Sequence, residues 1–157
     1  MTDESIATVR EVIDLLSKTE PLTEGEIGRL YSAYQDQERI DFFASEHVQK
    51  KQLADIEKRQ KEHQTSRLHR LWCDSLSRDS QNDLELHAQL TIELFKKFTK
   101  TGDIPPPASP WRIAVLLRKR NEVDLERRFL EAWTRHFGNT IGTKYEALKQ
   151  RYDKLNG

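Results

Sequence analysis

Residues 111–137 read WRIAVLLRKRNEVDLERRFLEAWTRHF, and the fold turns on how this stretch is understood. It holds two of the three tryptophans, Trp111 and Trp133, and the longest apolar run, Ile113-Ala114-Val115-Leu116-Leu117. Leu125, Phe129, Trp133 and Phe137 recur every fourth residue, so a helix stacks them into one broad aromatic stripe. Water disfavours that stripe, and it needs a partner surface. Upstream, Ser109-Pro110 reads as a helix cap followed by proline in the first turn. Arg118-Lys119-Arg120-Asn121-Glu122 has no hydrophobic position, which breaks the stretch into two helices near Asn121. Gly138 stops the second.

The rest of the composition agrees with helices. The 157 residues fit one domain, and a chain of that length buries roughly 70% of its unfolded surface. Six glycines and five prolines, three of them consecutive, leave few turns for a sheet protein. Charged residues make up 33% of the chain and balance to zero. Their distribution is uneven. Residues 1–46 carry four basic and eleven acidic side chains; the rest carry twenty-two and fifteen. Such asymmetry marks either a basic binding surface or two halves that attract each other. The single cysteine, Cys73, has no internal partner, which fits a reducing compartment. The opening MTDESIATVR is acidic and polar, unlike a leader peptide, and the longest apolar run is far short of the ~20 residues that cross a bilayer. A cytoplasmic protein without a membrane partner is expected.

Taken in order, Ile6, Val9, Ile13 and Leu16 form one helical face that ends before Glu20-Pro21. Thr23-Glu24-Gly25-Glu26 reads as a capping box, and Ile27, Leu30, Tyr31 and Tyr34 follow. Ile40, Phe43, Ala44 and His47 point away from that face. Either the chain breaks near Gln35–Glu38 or one helix is buried on two sides. Between Val48 and Thr65 only Leu53, Ala54 and Ile56 interrupt polar residues, so a long solvated helix is expected, with a mobile linker as the other reading. Thr65 or Ser66 restarts a helix carrying Leu68, Leu71, Trp72 and Leu76. Ser80 or Asn82 caps the next. LELHAQLTIEL (84–94) alternates like a strand, yet Leu84, Ala88, Thr91, Leu94, Phe95 and Phe98 also share a helical face. No second strand exists to pair with it, so helix is preferred. Residues 102–108 form a proline-rich linker, Thr143–Glu146 reads as a second capping box, and Tyr145, Leu148, Tyr152 and Leu155 line a last helix.

Signals for chemistry are weak. No histidine is expected to have a second ligand at the i, i+4 spacing of a helical zinc site, and no phosphate loop or nucleophile motif occurs. No catalytic residue, metal or cofactor is expected; His87 and His136 look like hydrogen-bonded packing residues, His63 and His69 like solvated ones. The carboxylates, Glu126 among them, read as helix-surface ion-pair partners. The basic clusters say more. Arg118, Lys119 and Arg120, with Lys50, Lys51, Lys58, Arg59, Arg67 and Arg70, are the candidate partner-binding residues.

The expected architecture is all-α: a bundle of about six or seven helices with one long polar helix. Residues 1–101 form its N-terminal portion, and residues 109–157 form a three-helix portion packed on the same domain. The expected function is a non-catalytic protein–protein interaction module: an adaptor, inhibitor or regulatory subunit working through helical surfaces. A homodimer through Leu53 and Ile56 of the polar helix is a second possibility for partner choice. The alternative function is a nucleic-acid-binding regulator, with Lys144, Lys149, Gln150 and Arg151 on the last helix of a helix-turn-helix-like unit.

Overall fold

The computed structural model describes the backbone of residues 2–47, 50–64 and 66–157, with the side chains of 2, 3, 43–47, 50–53, 56, 63 and 64 outside that description. All regular structure among the described residues is helical: α1 (Thr2–Lys18), α2 (Glu24–His47), α3 (Lys50–Gln64), α4 (Arg67–Ser75), a 3₁₀ turn over Asp79–Asn82, α5 (Leu84–Thr101), α6 (Ala108–Lys119), α7 (Val123–Phe137) and α8 (Thr143–Asn156). The expected all-α bundle is there, with eight α-helices among the described residues where about six or seven were expected; the polar stretch is one of them, between α2 and α4.

The aromatic stripe builds the centre. Leu125, Phe129, Trp133 and Phe137 are all buried on α7. Trp133 lies 4.4 Å from Phe137, 6.4 Å from Phe129 and 6.5 Å from Tyr145, centroid to centroid. Phe95 and Phe98 of α5 meet Phe137 edge-on at 6.2 and 5.0 Å, the arrangement that ring quadrupoles favour. One continuous apolar core runs from Val9, Val12, Ile13 and Leu16 of α1 through α5, α6 and α7 to Leu148 of α8. α1 packs on α5 and α7, and the α7 residues Arg135 and His136 tie it down. Arg135 donates to the Ser17 carbonyl at 2.8 Å and His136 Nε2 to the Leu16 carbonyl at 2.6 Å, satisfying oxygens that the helix end leaves orphaned.

The helix ends follow local chemistry, with some departures from expectation. The first capping box forms as read: Thr23 Oγ1 accepts from Glu26 N at 3.2 Å, and Glu26 Oε1 accepts from Thr23 N at 3.3 Å. Ser66 caps α4 by accepting from His69 N at 3.2 Å. Neither Ser80 nor Asn82 caps α5; Asp83 does, accepting from Leu86 N at 3.0 Å, while Ser80 is buried. α6 begins at Ala108, one residue before Ser109, whose hydroxyl is engaged elsewhere. Thr143 is already inside α8, with Gly142 at the cap position, so the second box does not form. Asn121 separates α6 from α7 at φ 59°, a left-handed conformation that asparagine tolerates better than most residues. The segment after Gly102 is strapped to α8 by a hydrogen bond from the Tyr145 hydroxyl to the Pro105 carbonyl. Burial, aided by the Asp103 charge, pushes the Tyr145 phenol up to about 12.

Gly102 closes α5 at φ 70°, against the start of α2. A Cβ there would lie 2.6 Å from the Ile27 carbonyl oxygen and 2.8 Å from Tyr31 N, both backbone atoms that cannot swing aside. Gly102→Ala should therefore cost more than the ~1 kcal/mol of left-handed strain alone, because α2 must also shift. Chemical denaturation reads this directly; an unchanged midpoint would mean that α2 is not seated on this turn.

α2 departs furthest from expectation. It is one uninterrupted helix, not broken near Gln35–Glu38; of the second face expected at Ile40, Phe43, Ala44 and His47, only Ile40 has a described side chain, and it is exposed. Its start packs on the end of α5 through Ile27 and through Lys97, whose ammonium lies 5.6 Å from the centre of the Tyr34 ring. Beyond Tyr34 it stands largely in solvent, with Ile40 60% and Phe42 62% exposed. α3 returns beside it, joined by Arg59 to Asp41 at 3.6 Å. The described side chains of α3, Ala54, Asp55 and residues 57–62, are all exposed. The dimer contact expected at Leu53 and Ile56 falls on side chains outside the described residues. No helix among the described residues is long and apolar enough to cross a membrane.

Candidate functional site

Among the described residues, the expected basic cluster is divided between elements. Arg118, Lys119 and Arg120 close α6, whose neighbours are α5, α7, α8 and the 3₁₀ turn, whereas Lys58 and Arg59 lie on α3, which packs on α2 and α4. Arg59 is paired with Asp41 and Arg67 with Glu93 at 3.7 Å, leaving Lys58 and Arg70 exposed. Lys50 and Lys51 open α3, their side chains outside the described residues.

Two guanidiniums turn inward. Glu126, expected on the surface, is 0% exposed. Arg151 grips it with two bonds, Nε to Oε2 at 3.1 Å and Nη2 to Oε1 at 3.0 Å. That carboxylate holds the Arg151 guanidinium even more firmly protonated than usual. Arg118 Nε approaches Oε2 from the other side at 3.4 Å, and its guanidinium also sits 5.9 Å from the centre of the Trp111 ring. The pattern around Glu126 carried the signal for its burial: Phe129, Leu130 and Trp133 follow it at i+3, i+4 and i+7, so it lies in the middle of the apolar arc of α7. Without Arg151, the remaining α8 candidates Lys144, Lys149 and Gln150 are exposed but spread around the helix rather than along one reading face.

A different surface stands out between α4 and α6. Leu71 of α4 packs on Leu90 and Leu94 of α5. Trp72 and Leu76 sit on the same helix and its first following residue, yet they are 39% and 72% exposed. Each four-residue step drifts about 40° round a helix, so from Leu68, which still packs beside Leu71, Trp72 and Leu76 spiral progressively away from the buried face. Spacing alone would make all four one core stripe, and the fold corrects that. Trp72 and Leu76 border an open cleft of about 430 Å³ whose walls include Leu90, Pro106 and Trp111. Arg112 and Lys144 supply its charge, and among the described residues no carboxylate lines it.

Its floor is built from a buried polar relay. His87, 4% exposed, bonds through Nε2 to the Ser80 carbonyl at 2.9 Å and through Nδ1 to Ser109 Oγ at 3.0 Å. A carbonyl only accepts, so Nε2 carries the proton and Nδ1 receives the Ser109 hydroxyl. Ser80 Oγ in turn donates to the Ser75 and Ser77 carbonyls at 2.9 and 2.6 Å. Burial holds the His87 imidazole below its ordinary pKa, against the pull of the Ser80 carbonyl, and the Arg112 charge adds to the lowering. Neutral and fully bonded, His87 fixes the 3₁₀ turn against α5 and α6 and so sets the width of the cleft. Arg112 does the same at the rim, giving two bonds to the Gln81 carbonyl at 2.9 and 2.6 Å.

On α4, Cys73 Sγ and His69 Nε2 are 3.5 Å apart, so one histidine does have a potential ligand at i, i+4, against expectation. The pair goes no further as a metal site: no group of three or more His, Cys, Asp or Glu among the described residues is placed to hold an ion. Comparison with protein-family models, with curated proteins and with solved structures returns no match.

Proposed function

We propose that this chain is a non-catalytic helical interaction module, an adaptor, inhibitor or regulatory subunit, that receives a partner protein in the cleft between α4 and α6. One observation carries the reading: Trp72 and Leu76 stand exposed one helical turn apart, beside a cleft whose shape is fixed from beneath by the His87 relay. Binding hot spots are enriched in tryptophan, and at a preorganised concave surface its large area is desolvated without reordering the scaffold. The alternative role as a nucleic-acid-binding regulator draws on Lys119, Arg120, Lys144 and Lys149, with Arg118 and Arg151 occupied by Glu126.

A photoreactive phenylalanine analogue placed at Leu76, and separately at Ile141, tests the docking reading in extracts of the native cells. Ile141 is 92% exposed, so it reports on chance encounters. Position 76 should yield one dominant crosslinked protein, lost when Trp72→Ala is added, while position 141 yields none. Equal labelling at both positions, or none at 76, would remove the cleft from consideration.

A further inference from the structure

We infer that the occupant of the α4–α6 cleft is an acidic polypeptide segment, one or two carboxylates flanking an aromatic or aliphatic anchor. The inference rests on the docking reading above and adds the chemistry of the partner. Charge complementarity carries it. Among the described residues the cleft pairs apolar walls with two cations, and no aspartate or glutamate lines it. Lys144 is exposed and takes part in no ion pair found among the described residues. Arg112 spends two donors on the Gln81 carbonyl, a neutral acceptor, so its charge is positioned but not neutralised. A cation held in place by a backbone oxygen loses little entropy on receiving a carboxylate, and the planar fork suits that group. Trp72, Leu76 and Trp111 offer the apolar area that a lone carboxylate cannot use.

A nucleic acid strand could also stack on tryptophan, but the surroundings disfavour it. The adjoining depression at the same turn is lined by Asp74, Asp79 and Asp83. A phosphate backbone running past the cleft would meet those three carboxylates, whereas single-stranded binding sites follow the backbone with continuous positive charge. A peptide whose acids are confined to the flanks of one anchor stops short of them.

The test uses the full chain and a fluorescein-labelled peptide with one phenylalanine anchor, a glutamate on each side of it, and neutral polar residues elsewhere. Comparators are its twin with glutamine for every glutamate and a single-stranded oligonucleotide of equal length. The glutamate peptide should bind more tightly than its twin by roughly tenfold, with an affinity that falls as salt rises. Lys144→Glu should remove that preference and Leu76→Glu should remove binding; both side chains are exposed, so melting temperatures should stay at the wild-type value, which calorimetry checks. Equal affinity for the two peptides, tighter binding of the oligonucleotide, or no peptide binding into the high micromolar range would overturn the proposal. If the peptides fail while crosslinking at position 76 persists, the acidic chemistry falls and the docking reading stands. If both fail, both fall.

Discussion

Trp133→Ala should destabilise the domain by about 3–5 kcal/mol, enough to unfold a protein of ordinary stability near body temperature. The side chain is 1% exposed and touches the rings of Phe129, Phe137 and Tyr145, which come from two helices, so no single neighbour can relax into the space. Its indole N–H meets no protein acceptor. Trp133→Phe keeps much of the ring contact and removes that stranded donor, and it should cost far less than the alanine change. Equilibrium urea unfolding of the two variants measures both; an alanine variant as stable as wild type would place the aromatic stripe outside the core.

A second large effect is expected at the buried ion cluster. Arg151→Ala leaves the fully buried Glu126 carboxylate with only the longer bond from Arg118, and breaking a buried pair from one side costs about 3–5 kcal/mol. Glu126→Leu combined with Arg151→Leu removes the buried pair and leaves Arg118, 38% exposed, to turn toward water, so it should recover most of that loss. The double-mutant cycle reads the coupling. A melting temperature for Arg151→Ala that matches wild type would mean that Glu126 reaches water by another route. The cluster also limits what neutralising residues 118–120 can reveal about binding: Arg118 is structural, so only Lys119→Gln and Arg120→Gln report cleanly on surface charge.

Whatever repeats along one helix is legible in the sequence. Leu125, Phe129, Trp133 and Phe137 declare their helix and their burial, because large apolar residues at a period of four are what one buried helical face requires. The alternating Leu84–Leu94 segment resolves to helix for a negative reason, the absence of any strand to pair with. Relations between distant segments are not legible. The place of Glu126 among Phe129, Leu130 and Trp133 signals that it faces inward, but nothing local names the cation that meets it, Arg151, 25 residues away. Ser109 looks like a cap, and only the fold brings it to His87, 22 residues earlier. The cleft is hidden in the sequence because Trp72 and Leu76 carry a helical spacing that, by itself, points inward. For α2 the spacing misleads in the same way at Ile40: it puts that residue on an apolar face, yet Ile40 stands exposed where the helix outruns the end of α5 against which it starts.

The seat of α1 bears on how the chain assembles during its synthesis. Its apolar face is housed by α5 and α7, and the bonds that fix its end come from Arg135 and His136, 118 and 120 residues further along. Ribosomes extend a chain by roughly 5–20 residues per second, so α1 waits on the order of ten seconds before α7 exists. Until α5 is made, Val9, Val12, Ile13 and Leu16 have no native surface to cover them, and until α7 follows they have only part of it. The same long separation makes the closing of this contact a costly step in loop entropy, one that follows the local pairing of α4 with α5 and of α6 with α7 and α8. The face of the bundle made earliest is the one completed last, and it is there that a nascent chain is open to chaperones and to misassociation.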